Sequence, residues 1–181
     1  MIFVAALTCA YSQDTAGAQE IDMKAPAEMK NLEFLLGQWT GKETYHFGGT
    51  ASKSDGSITA TMTMSGRFVQ GVHRSTIPNE GPFEGLHLVT YDSVAKKYRA
   101  WWFDSASSEP MEMEGSLIGN KLVMTSKPSK APGMENVIFR STFEKKSDKS
   151  LGFLLEMQMS GNWTTAIEAT YTKKSAGTVK G

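Results

Sequence analysis

The strongest constraint on this chain is a period of two that starts at Trp39 and persists to Lys173. In Ser57-Ile58-Thr59-Ala60-Thr61-Met62-Thr63-Met64-Ser65, apolar side chains alternate with hydroxyls. Successive side chains of a strand point to opposite faces, so such a segment is a strand with one dry face. Met111-Glu112-Met113-Glu114 and Leu155-Glu156-Met157-Gln158-Met159 repeat the pattern. In the last segment Trp163, Thr165, Ile167, Ala169 and Tyr171 share one parity. Further strands are read near 66–77, 84–91, 97–103, 120–126 and 136–144, separated by Asn79 to Pro82, Asp92-Ser93, Gly119-Asn120, Pro128 to Gly133, Ser147-Asp148 and Gly161-Asn162. About ten short strands at hairpin spacing predict an all-β, antiparallel, up-and-down fold. One-sided alternation through the last strand favours a closed barrel, which also removes exposed edges.

The chain before Trp39 reads differently. Glu28 to Leu36 predicts a short helix, with Met29, Leu32 and Leu36 at helical spacing and Gly37 as its stop. Met1 to Ala10 is apolar but too short to span a bilayer, and Ala16-Gly17-Ala18 suits signal peptidase. The reading is a signal peptide over 1–18, a leader over 19–28, one barrel domain over 29–174 and a tail over 175–181, with an extracytoplasmic (periplasmic or secreted) location. The lone cysteine, Cys9, falls within the signal, so the mature protein is expected to fold without a disulfide. Lys and Arg number 19, as do Asp and Glu, so there is no electrostatic footprint for nucleic acid.

Short motifs carry a resemblance. Gly37-Gln38-Trp39-Thr40-Gly41, Gly66-Arg67-Phe68-Val69-Gln70, Tyr91-Asp92 with Lys97-Tyr98, Trp102-Phe103-Asp104-Ser105 and Tyr171-Thr172-Lys173 stand in an order that resembles the bacterial domain-of-unknown-function family fifteen-seventy-nine. That family is similar to the calycins, which include lipocalins, fatty-acid-binding proteins and nitrobindin. The likeness covers roughly residues 29 to 174, and Lys173 stands where the family usually has arginine. It implies a calycin-like β-barrel and no established activity. It also implies structural closure: Trp39 plugs one end and Lys173 lies over its ring, a cation–π contact.

A closed barrel has a lumen, and its inward residues are the candidate site. Parity assigns Met62, Met64, Met111, Met113, Met157, Met159, Trp163 and Ile167 to the lining, with Tyr45 and Glu43 on the face of Trp39. Methionines adapt to irregular interiors, so the expected occupant is a small hydrophobic or amphipathic molecule bound without catalysis. A carboxylate facing inward needs a partner, and Arg67, Arg74 and Arg140 are candidates; a lumenal arginine would alternatively grip a ligand carboxylate.

Two alternatives remain. Glu43, Tyr45, His87 and Asp104 could serve as acid or base in a barrel isomerase or hydrolase, were two of them to converge in the lumen. Clustered thioethers could bind Cu(I), although residues two apart on a strand are about 7 Å apart at the backbone. His46, His73 and His87 lack zinc spacing, and none lies in the last third of the chain, where nitrobindin-like barrels would place a haem ligand. No cofactor is therefore expected, and no motif names a nucleophile.

Overall fold

The computed structural model describes residues 24–47 and 50–175. The signal peptide, Cys9, half of the leader and most of the tail lie outside the described residues.

Ten antiparallel strands form one closed barrel. They are β1 (Gly37–Tyr45), β2 (Ser52–Thr63), β3 (Phe68–Ile77), β4 (Gly81–Asp92), β5 (Lys97–Asp104), β6 (Ser107–Ile118), β7 (Lys121–Ser126), β8 (Ile138–Ser147), β9 (Ser150–Met159) and β10 (Asn162–Lys173). Each pairs with its sequence neighbours, and β1 closes on β10 with Trp39 opposite Lys173 and Gly41 opposite Tyr171. A last rung extends the ladder, where the Lys174 amide donates to the Gln38 carbonyl at 2.8 Å.

The N-terminal helix, Ala27–Leu35, is a 3₁₀ helix. Its buried residues are Met29, Leu32 and Leu35, a spacing of three. Three residues per turn eclipse such positions, which is why Leu35 is buried and Leu36 is only half-buried. The helix closes one end of the barrel. Its carbonyl at Leu35 accepts from the Trp39 indole at 2.8 Å, and its carbonyl at Glu28 accepts from the Tyr98 hydroxyl at 3.0 Å. Behind it lies an apolar core that includes Trp39, Val69, Val89, Ala100, Leu122, Met124 and Leu151. Lys173 Nζ stands 5.1 Å from the centre of the Trp39 ring. Gly37 makes room for that stem: a Cβ there would lie 2.5 Å from Lys173 Cε.

Two departures re-aim side chains. Between β2 and β3 the chain turns through Met64 and Ser65, both at positive φ, so the strand stops at Thr63. In β10 the register shifts between Thr165 and Ile167, with Ala166 as the extra residue. A bulge inserts one residue against the partner strand, and everything beyond it changes face.

Candidate functional site

Directly paired residues share a face, so the register identifies the inside. Starting from Trp39, the inward sets are Gly41, Glu43 and Tyr45 on β1; Ser54, Gly56, Ile58, Ala60 and Met62 on β2; and Val69, Gly71, His73 and Ser75 on β3. They continue as Phe83, Gly85 and His87 on β4, Ala100, Trp102 and Asp104 on β5, and Met111 and Met113 on β6. Met124, Ser141, Phe143, Phe153, Leu155, Met157 and Ile167 complete the circuit.

At the β1–β10 closure sits a buried carboxylate. Glu43 is wholly inaccessible. Its Oε1 accepts from the Tyr171 hydroxyl at 2.5 Å and pairs with His73 Nε2 at 2.6 Å, while Oε2 accepts from the Tyr45 hydroxyl at 2.5 Å. Tyr45 also meets Ser75 Oγ at 2.9 Å. Gly56 provides the space, since a Cβ there would fall 1.7 Å from Glu43 Oε1. Burial alone would raise the Glu43 pKa. The hydrogen bond and Coulombic attraction of His73, with the two tyrosine hydroxyls, outweigh it and hold the carboxyl below its ordinary 4.5. Burial, together with the Glu43 charge, raises the pKa of both Tyr45 and Tyr171. A carboxylate accepts only, so His73 Nε2 carries a proton; its Nδ1 is buried with no partner among the described residues.

Beside this cluster runs an aromatic wall. Phe83 and Trp102 stack at 6.3 Å between centroids, and His87 stacks on Phe143 at 5.6 Å. Trp102 meets His73 at 6.1 Å and His87 at 6.2 Å, and Phe143 meets Phe153 at 4.9 Å. Gly85 again leaves the room, because a Cβ would sit 2.2 Å from the Trp102 ring. Trp102 is held by its indole N–H, which donates to Asp104 Oδ2 at 2.7 Å. Burial lowers the His87 pKa to about 4, so its imidazole is neutral at physiological pH.

The structure separates the expected lining residues. Glu43, Tyr45, Met62, Met111, Met113, Met157 and Ile167 stand at inward positions. Three others do not line the barrel. Met64 lies in the turn after β2 and is 61% exposed. Met159 shares the parity of Met157 but ends β9, where the wall stops, and is 55% exposed. Trp163 is turned outward by the Ala166 bulge; it pairs with Gln158 and lies under the Arg140 guanidinium at 4.1 Å. Of the three Met-x-Met pairs, only Met111 and Met113 keep both thioethers inside the wall, and no three His, Cys, Asp or Glu among the described residues group as a metal site.

The expected arginine partners of Glu43 also lie elsewhere. Arg74 pairs with Glu84 and Arg140 with Glu156 on the outer face, and Arg67 follows the turn at the helix-capped end. The partners are His73, Tyr45 and Tyr171. The tyrosines share the parity of Trp39 and were legible as inward residues; His73 was not, since β3 carries apolar residues on both parities. Asp104 both anchors Trp102 and accepts from the Ala106 amide at 2.9 Å, which makes it a turn residue. Among the described residues no helix is long and apolar enough to cross a membrane. Two shallow grooves mark the outside, one beside Phe34 and Leu117 and one over Gly41 and Gly56; neither contains a buried titratable side chain.

A ten-strand antiparallel barrel, capped by one short helix and plugged by a tryptophan beneath a basic residue, defines a calycin-like protein. The chain belongs to a family of proteins of unknown function, DUF1579, whose family model matches residues 24–173. No curated protein matches it in sequence. Among solved structures the barrel is similar to Rv2717c from M. tuberculosis, with a TM-score of 0.62 and 12% identity over 84% of this chain and 100% of that one. It is also similar to the S-type phycobiliprotein lyase CPES from Guillardia theta, with a TM-score of 0.54 and 10% identity over 81% of this chain and 92% of that one. At such identities the likeness is one of fold.

Proposed function

We propose that this protein binds a small hydrophobic or amphipathic molecule inside the barrel. One observation carries the reading. Phe83, His87, Trp102, Met111, Phe143, Phe153, Leu155 and Met157 are inward residues of a closed barrel, yet each is only half-buried. This partial exposure of inward side chains supports a lumen that the wall's own atoms do not fill. Apolar concave walls with few polar groups are the usual form of a small-molecule site. The similarity in fold to a phycobiliprotein lyase is consistent with such an occupant.

Trp102 provides the test. Titration of Nile red into the protein is expected to quench tryptophan emission and raise probe emission together. A Trp163→Phe variant should behave the same way, because that ring lies outside. Absence of any response, with native mass spectrometry of source-purified protein showing only the bare chain, would refute lumenal binding.

Catalysis on a small apolar substrate is the second reading, supported by the convergence of Glu43 and Tyr45. It is the weaker one. Both Glu43 oxygens are engaged by protein donors, and both tyrosines are held protonated, so this cluster offers neither a free base nor a ready acid.

We further propose that the protein acts outside the cytoplasm, on the strength of the apolar Met1 to Ala10 stretch and the Ala16-Gly17-Ala18 site. Edman sequencing of exported protein should begin at Gln19; a retained Met1 would refute cleavage.

A further inference from the structure

We infer that the lumen selects uncharged aromatic molecules bearing a hydroxyl or carbonyl group, that it turns anions away, and that His87 engages the polar group. The inference rests on the binding reading above and narrows it to a ligand class.

The first support is the sign of the wall. Among the described strand residues, the inward positions include two basic residues, Lys145 and Lys173, both at the helix-capped end. Lys145 pairs with Asp148 at 2.8 Å, and Lys173 lies over Trp39. Arg74, Arg99 and Arg140 are on the outside, paired with Glu84, Asp92 and Glu156. The inward carboxylates are Glu43 and Asp104. His73, which stands against Glu43, is already engaged. A ligand carboxylate or phosphate would leave water, find no unpaired arginine or lysine among the inward strand residues described, and meet the Asp104 carboxylate. The fatty-acid style of capture, an arginine on a ligand carboxylate, therefore has no inward arginine to use among the described strand residues.

The second support is His87. It lies between the Trp102 and Phe143 rings, and neither of its ring nitrogens has a hydrogen-bond partner among the described residues. Half-buried and without a protein partner, these nitrogens are left for water or a ligand to satisfy. A neutral imidazole offers one donor and one acceptor, which a hydroxyl or carbonyl satisfies without bringing charge. The third support is shape. The Phe83–Trp102 and His87–Phe143 pairs lie within 24° and 21° of parallel, so they form flat faces against which a planar ring can stack.

The test compares 2-naphthol, 2-naphthoate and naphthalene by calorimetry near neutral pH, with Nile red as a general probe of the lumen. Naphthol is expected to bind at least about tenfold more tightly than naphthoate, and several-fold more tightly than naphthalene. Equal or tighter binding of naphthoate would overturn the charge selection while leaving lumenal binding intact. No binding of Nile red or of any naphthalene compound would instead overturn the binding reading beneath it. For His87, the ring-nitrogen chemical shifts in wild-type protein should move when naphthol is added, and His87→Phe should erase the preference for naphthol over naphthalene while His87→Gln keeps part of it. Unmoved His87 shifts, or a full naphthol preference in His87→Phe, would remove His87 from the site. Asp104→Asn should narrow the gap between naphthol and naphthoate; an unchanged gap would count against that carboxylate as a source of the selection.

Discussion

Tyr171 and Glu43 are 128 residues apart in sequence and joined by a 2.5 Å hydrogen bond. The bond spans the seam where the last strand meets the first, and it anchors the carboxylate around which His73 and Tyr45 also gather. Glu43→Ala would leave three buried polar groups without their acceptor. It is expected to cost about 3–5 kcal/mol in urea unfolding, the usual penalty for breaking a buried charged network. Tyr171→Phe removes one donor to a charged group and should cost about 1.5–3 kcal/mol. If Glu43→Ala were as stable as the parent, the seam would owe nothing to this cluster.

Acid should act on the protein in two windows. His87 has a folded pKa of about 4 against an ordinary 6.5, so the unfolded chain takes up its proton first. Stability from keeping that ring neutral is full above about 6.5 and is lost as pH falls toward 4. Glu43 has a folded pKa below 4.5, so its contribution is present above 4.5 and is lost as pH falls through the folded value. Thermal melts are expected to decline from pH 6.5 downward and more steeply below 4.5. His87→Phe should flatten the upper part and Glu43→Gln the lower. A decline that both variants reproduce unchanged would assign it to other groups.

Gly56→Ala places a methyl group where the Glu43 carboxylate lies. The chain must shift to accept it, at an expected cost of about 1–3 kcal/mol, measured as a lower melting temperature. Gly85→Ala should push the Trp102 ring aside and shift tryptophan emission. A Gly56→Ala protein with unaltered stability would mean that the Glu43 carboxylate sits elsewhere.

Trp39 is 2% exposed and its indole is tied to the helix. Trp39→Ala is expected to cost about 3–5 kcal/mol in ligand-free protein. Lys173→Ala removes only the contact above the ring and should cost about 1 kcal/mol or less. Loss of ligand binding with an unchanged melting temperature in Trp39→Ala would make it a lining residue and not a plug.

What the sequence revealed followed parity, and what it concealed followed interruptions of parity. The barrel, the Trp39–Lys173 contact and the inward facing of Glu43 and Tyr45 come from an unbroken alternation or an ordered motif, and the helix from apolar residues at helical spacing. Trp163 was assigned to the lumen because nothing at Ala166 announces an extra residue; no glycine or proline marks the bulge. Met64 was assigned there because the alternation runs through it, while the chain turns at positive φ without a glycine at Met64 or Ser65. His73 and His87 both meet Trp102 only because β3, β4 and β5 are neighbours in the barrel. Sequence spacing could not show that meeting. Only the hydrogen-bond register brings it out.

Pairing β1 with β10 also has a consequence for the order of folding. Every other ladder joins strands adjacent in sequence and can form as a hairpin while the chain is still being synthesised. The seam cannot: Trp39 must wait for Lys173, at the end of the last strand. Contacts of that separation slow folding, and until they form both seam strands are bare edges. A circular permutant that links the two chain ends and opens the turn at Ser105 and Ala106 would turn the seam into a local hairpin. It should refold faster than the parent, with the delay moved to the newly cut β5–β6 ladder.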